Sequence, residues 1–470
     1  MAVRAVLRLL PLFLAAGASA RARLTSPDEL PLRTAGRWIV DATGRRVKLA
    51  CVNWSGAEQR DGVVGGLQHQ PIARIAQLFA SMGFNCVRIP WSVEAVQRPF
   101  NVSSHAVLAA NPALVGQSTL HLLDAVVTAC ADARLMVVLD NHMSDADWCC
   151  SDTDENGLWY NDRWPEEAWL AAHTAIASRF EHEVYVVAAE LRNELRNAVV
   201  GGRTRYPDWG GGSRLTDWRL AALRAAHAIL AVRPSGLLIV VDALAYSTDF
   251  GAVHHDPIAL PGRLVYSVHD YSWFFHDFAH TEEQLHRLLG DRWGYLVAQG
   301  KPYTAPVWVS EWGDWHDGRN FDGGWWPWFE SYLRGADFDW AYWCGDGTQS
   351  RGSGRHFGRA EGYGVLNVTW NGPAGVLLQS LQPLQQATQG PGVSTGRVSP
   401  PSFLEYYSRN QTEAFGHPRL RGPLRFVVNQ GAYAVTITLL GALLVVVAVA
   451  IELRRHVSLD GARRVVGTMV

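Results

Sequence analysis

Along this chain, short unbroken apolar runs alternate with longer stretches in which apolar positions recur every three or four residues. The runs are Arg46–Asn53, Asn85–Ile89, Leu135–Leu139, Val184–Leu191, Leu237–Asp242, Leu264–Val268, Val307–Glu311 and Phe338–Trp343. Runs of this length without polar alternation are strands buried on both faces, as in parallel sheets covered by helices. Between them, Pro71–Met82 places Ile72, Ile75, Ala76 and Phe79 on one helical face. Leu120–Ala133, Pro165–Phe180, Asp217–Val232, Thr281–Leu296 and Trp325–Leu333 read as further helices, and Pro373–Gln386 as a closing one. Repetition of strand then helix predicts an α/β fold, an eight-stranded (β/α)8 TIM barrel over residues 32–386, rather than an open sheet. Ahead of the first strand, Arg37–Val40 and Arg46–Asn53 flank the turn-rich Asp41-Ala42-Thr43-Gly44, which predicts a hairpin.

The two ends break this pattern. Arg4 and Arg8, the apolar core Leu9–Ala16 and then Ala18-Ser19-Ala20 predict an export signal over residues 1–20. Ala432–Ile451 is uncharged and apolar over roughly the 20 residues that a membrane-spanning helix needs, with no polar stripe. The expected order is signal 1–20, barrel 32–386, a stalk 387–431, a transmembrane helix 432–451 and an inner tail 452–470. The chain is then a single-pass membrane protein of the secretory pathway, its barrel extracellular or lumenal. Asn101, Asn367 and Asn410 stand in Asn-X-Ser/Thr sequences and are candidate glycan acceptors, whereas Asn53 ends a buried run. In such a compartment Cys51, Cys86, Cys130, Cys149, Cys150 and Cys344 can pair, though six cysteines leave many pairings open. The adjacent Cys149 and Cys150 are expected to bond elsewhere or not at all.

A formal net charge of −2 gives no polyanion-binding signal, so nucleic acid is not an expected partner. Neither GxGxxG nor GxxxxGK[ST] occurs, which removes support for a nucleotide; cysteine spacing does not suggest zinc, and neither a cofactor nor a metal is expected. Twenty tryptophans hint at sugar stacking as well as core filling.

In a parallel barrel the carboxyl ends of the strands converge on one face, so residues remote in sequence meet there. At the predicted ends lie Asn53 and Trp54, Arg88, His142, Asn193 and Glu194, His269 and Tyr271, Glu311, and Trp343. Each has a dull explanation as a paired or packed group. Together, at one end of successive strands, they are the residue types that cleavage of a glycosidic bond requires: an acid to protonate the leaving oxygen, and a carboxylate to attack the anomeric carbon.

With Arg88 in Arg-Ile-Pro, His142 after the third strand, Asn193-Glu194 after the fourth, His269-Asp-Tyr271 after the sixth, Glu311 after the seventh and Trp343 after the eighth, the sequence resembles glycoside hydrolase family 5, the cellulase-type retaining hydrolases. The likeness runs from about Leu32 to Gln386. Residues 139–151 and 191–196 look most like a plant and algal subgroup, although Leu195 stands where proline is usual. The resemblance implies that Glu194 is general acid and then base, and that Glu311 is the nucleophile. It further implies that Arg88 and Tyr271 orient Glu311, that Asn193 binds the sugar 2-hydroxyl, and that His142 and His269 hold substrate and catalytic groups. Trp343 would be the floor of the cleavage subsite, with Trp148, Trp159, Trp273 and Trp315 as candidates for further subsites. Charge on Glu311 is expected to raise the proton affinity of Glu194. The implied activity is retaining hydrolysis of a β-glucan or β-mannan; a silent sugar-binding receptor and a transglycosylase are the alternatives.

Overall fold

The computed structural model describes residues 22–151, 153–275, 278–315 and 324–393. The predicted export signal, most of the stalk, the apolar stretch 432–451, the tail and Asn410 therefore lie outside the described residues. Among the described residues no helix is long and apolar enough to cross a membrane.

Eight strands close into a barrel: β1 (Ala50–Asn53), β2 (Cys86–Ser92), β3 (Met136–Met143), β4 (Val186–Glu190), β5 (Leu238–Asp242), β6 (Leu264–Tyr271), β7 (Val307–Gly313) and β8 (Asp339–Tyr342). Each pairs in parallel with its sequence neighbours, and β8 pairs with β1 to close the ring. Successive side chains on a strand face opposite ways, so alternate positions fill the barrel while the rest meet the helices. Cys51, Cys86, Met136, Val138, Ala188, Leu238, Val240, Val265, Trp308 and Ala341 form the inner apolar cluster. Their neighbours Val52, Val87, Val137, Ile239, Tyr266 and Val309 belong to the outer core. Continuing the inward alternation upward puts Asn53, Arg88, Asp140, Glu190, Asp242, Ser267 and Ser310 in one buried polar layer.

The surrounding helices start where the sequence offers caps. The side chains of Ser118, Asp217 and Thr281 accept the backbone N–H three residues on, opening the helices Thr119–Asp132, Trp218–Val232 and Glu282–Arg292. Eleven of the twenty tryptophans are fully buried, so the excess of this residue is mainly core. Each contributes on the order of 2–3 kcal/mol of apolar burial.

Four expectations are corrected. The antiparallel hairpin joins Arg33–Ala35 to Trp38–Val40 across Gly36-Arg37, while Val40 meets Arg46 only in an isolated bridge. Asp41 Oδ1 accepts the N–H groups of Thr43 and Arg45, making 41–45 a tight loop, and the chain then enters the barrel floor. The repeat is also incomplete: after β5 the chain turns through left-handed Ala245, Tyr246 and Ser247 (φ 52°, 60° and 58°) and makes only short helical turns before β6. The closing helix shrinks to Leu377–Leu381 with a 3-10 turn at Gln382–Leu384. Finally, Cys149 is bonded to Cys150, against expectation, in the loop after β3. The second disulfide joins the register partners Cys51 and Cys86 on β1 and β2.

Candidate active site

The strands run further than their apolar cores suggest. β3 continues through His142, β6 through Tyr271 and β7 through Glu311, so these residues sit on ladder backbone rather than on loops. Register shifts fall between Val268 and His269 on β6, and between Val309 and Trp312 on β7. Such bulges re-aim side chains, and these two bring His269 and Glu311 to the barrel mouth together. Glu194 lies just beyond β4 and is itself left-handed, with φ 45°. That conformation is costly for a residue with a Cβ and is held here by its neighbours. Arg196 donates to the Glu194 carbonyl, Asn193 N–H donates to the Asn141 carbonyl, and Leu195 is fully buried.

Arg88 organises the site. Its Nη1 donates to Glu311 Oε1 at 2.6 Å and to Asn53 Oδ1 at 3.0 Å. Nη2 donates to Asn193 Oδ1 at 2.9 Å and lies 3.0 Å from Asp140 Oδ2, and the fork grips Glu190 at 2.6 and 3.0 Å. Only a guanidinium, with five donors in one plane, serves this many acceptors at once. Tyr271 donates its hydroxyl to Glu311 Oε2 at 3.2 Å. His269 Nδ1 is 2.8 Å from Glu194 Oε1 and 3.5 Å from Glu311 Oε2. Carboxylate oxygens of Glu194 and Glu311 approach within 4.8 Å of each other, with His269 at similar range from both.

His142 turns Nδ1 to Asp140 Oδ2 at 2.6 Å, which leaves Nε2 to accept from Asn193 Nδ2 at 3.3 Å. Its ring stacks on Trp343, 5.7 Å between centroids at 15°. Trp343 is thus fixed beside the two carboxyls, with Trp148 tilted against it at 6.0 Å. The Cys149–Cys150 sulfurs lie 3.6 and 3.7 Å from Asn193 Nδ2.

Burial pushes Glu194 up to about 7, with Arg196, His142 and Arg88 opposing it. The raised affinity therefore comes first from desolvation, not from the charge of Glu311 as the sequence suggested. Burial likewise pushes His269 down to about 4, so the ring is neutral near pH 7. Of the two glutamates, Glu194 is therefore the one placed to carry a proton at neutral pH, whereas Glu311 faces the Arg88 cation. A protonated carboxyl opposite a charge-paired one can donate a proton on one side and attack on the other.

All eight expected site residues, Arg88, His142, Asn193, Glu194, His269, Tyr271, Glu311 and Trp343, share this one cluster. Of the additional tryptophans, Trp273 stacks on Tyr271 at 4.5 Å and is 38% exposed, and Trp315 packs on Tyr363 and is 39% exposed. Trp159 does not belong to the site. It is fully buried against Trp169 and Trp218 and donates Nε1–H to Glu166, so it packs the loop onto the helices.

Reading the strand ends alone misses Asp140, Glu190 and Asp242 beneath the mouth. Their signal is parity: each stands an even number of residues from an inward apolar side chain, Val138, Ala188 or Val240. Among the described residues, three sets bring possible metal ligands within 4.8 Å: Glu194, His269 and Glu311; Glu190, Asp242 and His269; and Cys149, Cys150 and Glu194. Arg88, in contact with Glu190 and Glu311, opposes a divalent cation in the first two.

A family model described as cellulase (glycosyl hydrolase family 5) matches residues 40–349. A glycosyl hydrolase 5 family protein of Chamaecyparis obtusa is 31% identical over 393 residues, covering 78% of this chain and 68% of that protein. An endoglucanase of Paenibacillus polymyxa is 29% identical over 337 residues, 66% of this chain and 78% of its own. Among solved structures, the endocellulase of the archaeon Pyrococcus horikoshii superposes with a TM-score of 0.66 at 24% identity, over 77% of this chain and 100% of that one. That endocellulase has also been solved in complex with cellotetraose. At this identity the structural likeness speaks for the fold.

Proposed function

The chain belongs to glycosyl hydrolase family 5 and is a glycosidase, and from that premise we propose that it hydrolyses a β-linked glucan by double displacement with retention. The observation that carries the reading is the approach of Glu194 and Glu311 oxygens to within 4.8 Å. Retaining pairs stand about 5–5.5 Å apart, while inverting pairs leave roughly 6.5–9.5 Å for a water. An approach this close favours retention.

In the first step Glu311 attacks the anomeric carbon, and Glu194 gives its proton to the departing oxygen. The carboxylate of Glu311 is held by Arg88 and Tyr271, so its attacking oxygen is fixed before substrate arrives. Ester formation consumes the negative charge of Glu311 and leaves the Arg88 cation less compensated. Glu194, a carboxylate since it gave up its proton, is then held in that form more readily and takes a proton from the water whose oxygen attacks the anomeric carbon and releases Glu311. Asn193 meets the sugar 2-hydroxyl, His142 keeps the amide in place, and Trp343 lies under the ring. The endoglucanases among the relatives, and the cellotetraose complex of the archaeal neighbour, favour a β-1,4-glucan. The leader 1–20 and the apolar stretch 432–451 support an exported enzyme tethered to a membrane with its barrel outside.

Hydrolysis of β-1,4-glucan, β-1,3-glucan and mannan by the wild type, Glu194→Gln and Glu311→Gln tests this reading. Both variants are expected to lose at least 100-fold in kcat, and a 2-fluoro-sugar with an activated leaving group should label Glu311. Full activity in either variant, or an anomerically inverted product, overturns it. Labelling followed by transfer to an added sugar acceptor instead of water would assign transglycosylation.

A further inference from the structure

Beneath the two carboxyls, the mechanism leaves one buried acid unused. Asp242 ends β5, and its side chain is fully buried in the polar layer. Ser247 donates its hydroxyl to Asp242 Oδ1 at 2.8 Å, while Oδ2 finds no partner among the described residues. Across from it His269 Nε2 also lacks a partner, 4.0 Å from Asp242 Oδ1. Unpaired buried polar atoms are costly, and two of them on side chains this close point to one shared proton.

The geometry points to Asp242 as a positioning residue for Glu194: as a neutral carboxylic acid it donates to His269 Nε2, fixing the tautomer in which His269 Nδ1–H donates to Glu194 Oε1. This rests on the reading of Glu194 as the acid. The alternative tautomer would carry its hydrogen on Nε2 and make Nδ1 an acceptor. The proton of Glu194 would then sit on Oε1, bonded to the imidazole and turned from the sugar. With Nδ1–H donating to Oε1, the acid's proton is left on Oε2, free for the leaving oxygen. A cationic imidazole is not available, since burial keeps His269 neutral.

Charge balance says why Asp242 holds a proton. The polar layer sets one cation, Arg88, among Asp140, Glu190 and Asp242, with Glu311 above. Arg88 bonds Glu190 and Glu311 directly and also touches Asp140, but makes no ion pair with Asp242. Burial, then the charge of Glu190, push Asp242 well above the usual carboxylate range, with Arg88 pulling against them and Asp140 adding to them. With Ser247 bonded to Oδ1, the acid hydrogen falls on Oδ2, the oxygen without a partner. For that donor to reach His269 Nε2, itself without a partner, the carboxyl must turn about Cβ–Cγ and the 4.0 Å gap between the two side chains must close.

Two measurements test the assignment. In the wild-type chain labelled with 15N-histidine, the His269 signal, identified by its loss in His269→Asn, should show a protonated Nδ1 and an unprotonated Nε2. The opposite tautomer overturns the proposal whatever the enzyme's substrate proves to be. In kinetics, Asp242→Asn keeps an N–H donor and should stay within about threefold of wild type. Asp242→Ala should lose roughly 10–100-fold in kcat on aryl β-cellobiosides with poor leaving groups. It should lose under threefold on activated ones, which need no acid, with KM unchanged. Equal losses for Asn and Ala, or a loss that ignores the leaving group, refute it. If Glu194→Gln itself shows no leaving-group dependence, the acid assignment fails instead, and the tautomer measurement still stands or falls alone.

Discussion

The raised proton affinity of Glu194 has a thermodynamic consequence that is separable from catalysis. Take Glu194→Gln, a neutral isostere of the protonated acid. In the folded chain burial pushes Glu194 from 4.5 up to about 7. In the unfolded chain it titrates near the ordinary carboxylate value. Between these two points the native state binds more protons than the unfolded state, so stability falls as pH rises. The favourable contribution is complete below about 4.5 and gone above about 7. Each pK unit is worth about 1.36 kcal/mol, so the whole effect is roughly 3 kcal/mol. Glutamine does not titrate and does not incur this loss. Urea unfolding of wild type and Glu194→Gln at pH 4.5, 6 and 8 measures the difference directly. The variant should match the wild type at the lowest pH and exceed it by roughly 2–3 kcal/mol at pH 8. Asp140, Asp242 and Asp346 are also raised by burial, but they are present in both proteins and largely cancel in the comparison. A stability difference that is flat with pH, or a variant weaker than wild type at pH 8, would show that the folded chain does not hold Glu194 protonated.

Three further outcomes follow from the same geometry. Arg88→Lys exchanges a five-donor plane for one ammonium, leaving two or more of Glu190, Asp140, Asn53, Asn193 and Glu311 without their bonds; a loss of roughly 3–5 kcal/mol is expected from chemical unfolding, with kcat down at least 100-fold. Tyr271→Phe removes one hydrogen bond to Glu311 Oε2 and should cut kcat about tenfold with KM little changed, read from initial rates on soluble β-glucan. Replacing Cys51 and Cys86 together by Ala removes the link between β1 and β2; denaturant midpoints should show a loss of roughly 2–4 kcal/mol, with KM unchanged because neither sulfur meets the site.

The barrel was legible because burial on both faces leaves an unmistakable trace: eight apolar runs with helical periodicity between them. Glu194, Glu311 and the six residues around them were legible because a parallel barrel sends every strand end to one face. Other features left no such trace. A helix was expected in every unit, yet the left-handed turn at Ala245–Ser247 replaces the one after β5, and nothing in Ala-Tyr-Ser announces positive φ. Trp159 looked like a sugar platform because it lies in an aromatic loop. Its burial depends on Trp169 and Trp218, which arrive from two separate helices.

What the sequence determined by itself was the order and type of the elements and the identity of the groups at the mouth, since period and residue chemistry are local properties. Tertiary structure alone decided how those groups are charged and aimed. One cation among several carboxyls, two register shifts that turn His269 and Glu311, and a dry environment around Glu194 all arise from neighbours 40 to 220 positions away. Solvent exclusion and Coulomb interaction act through space, and a linear string carries no distances.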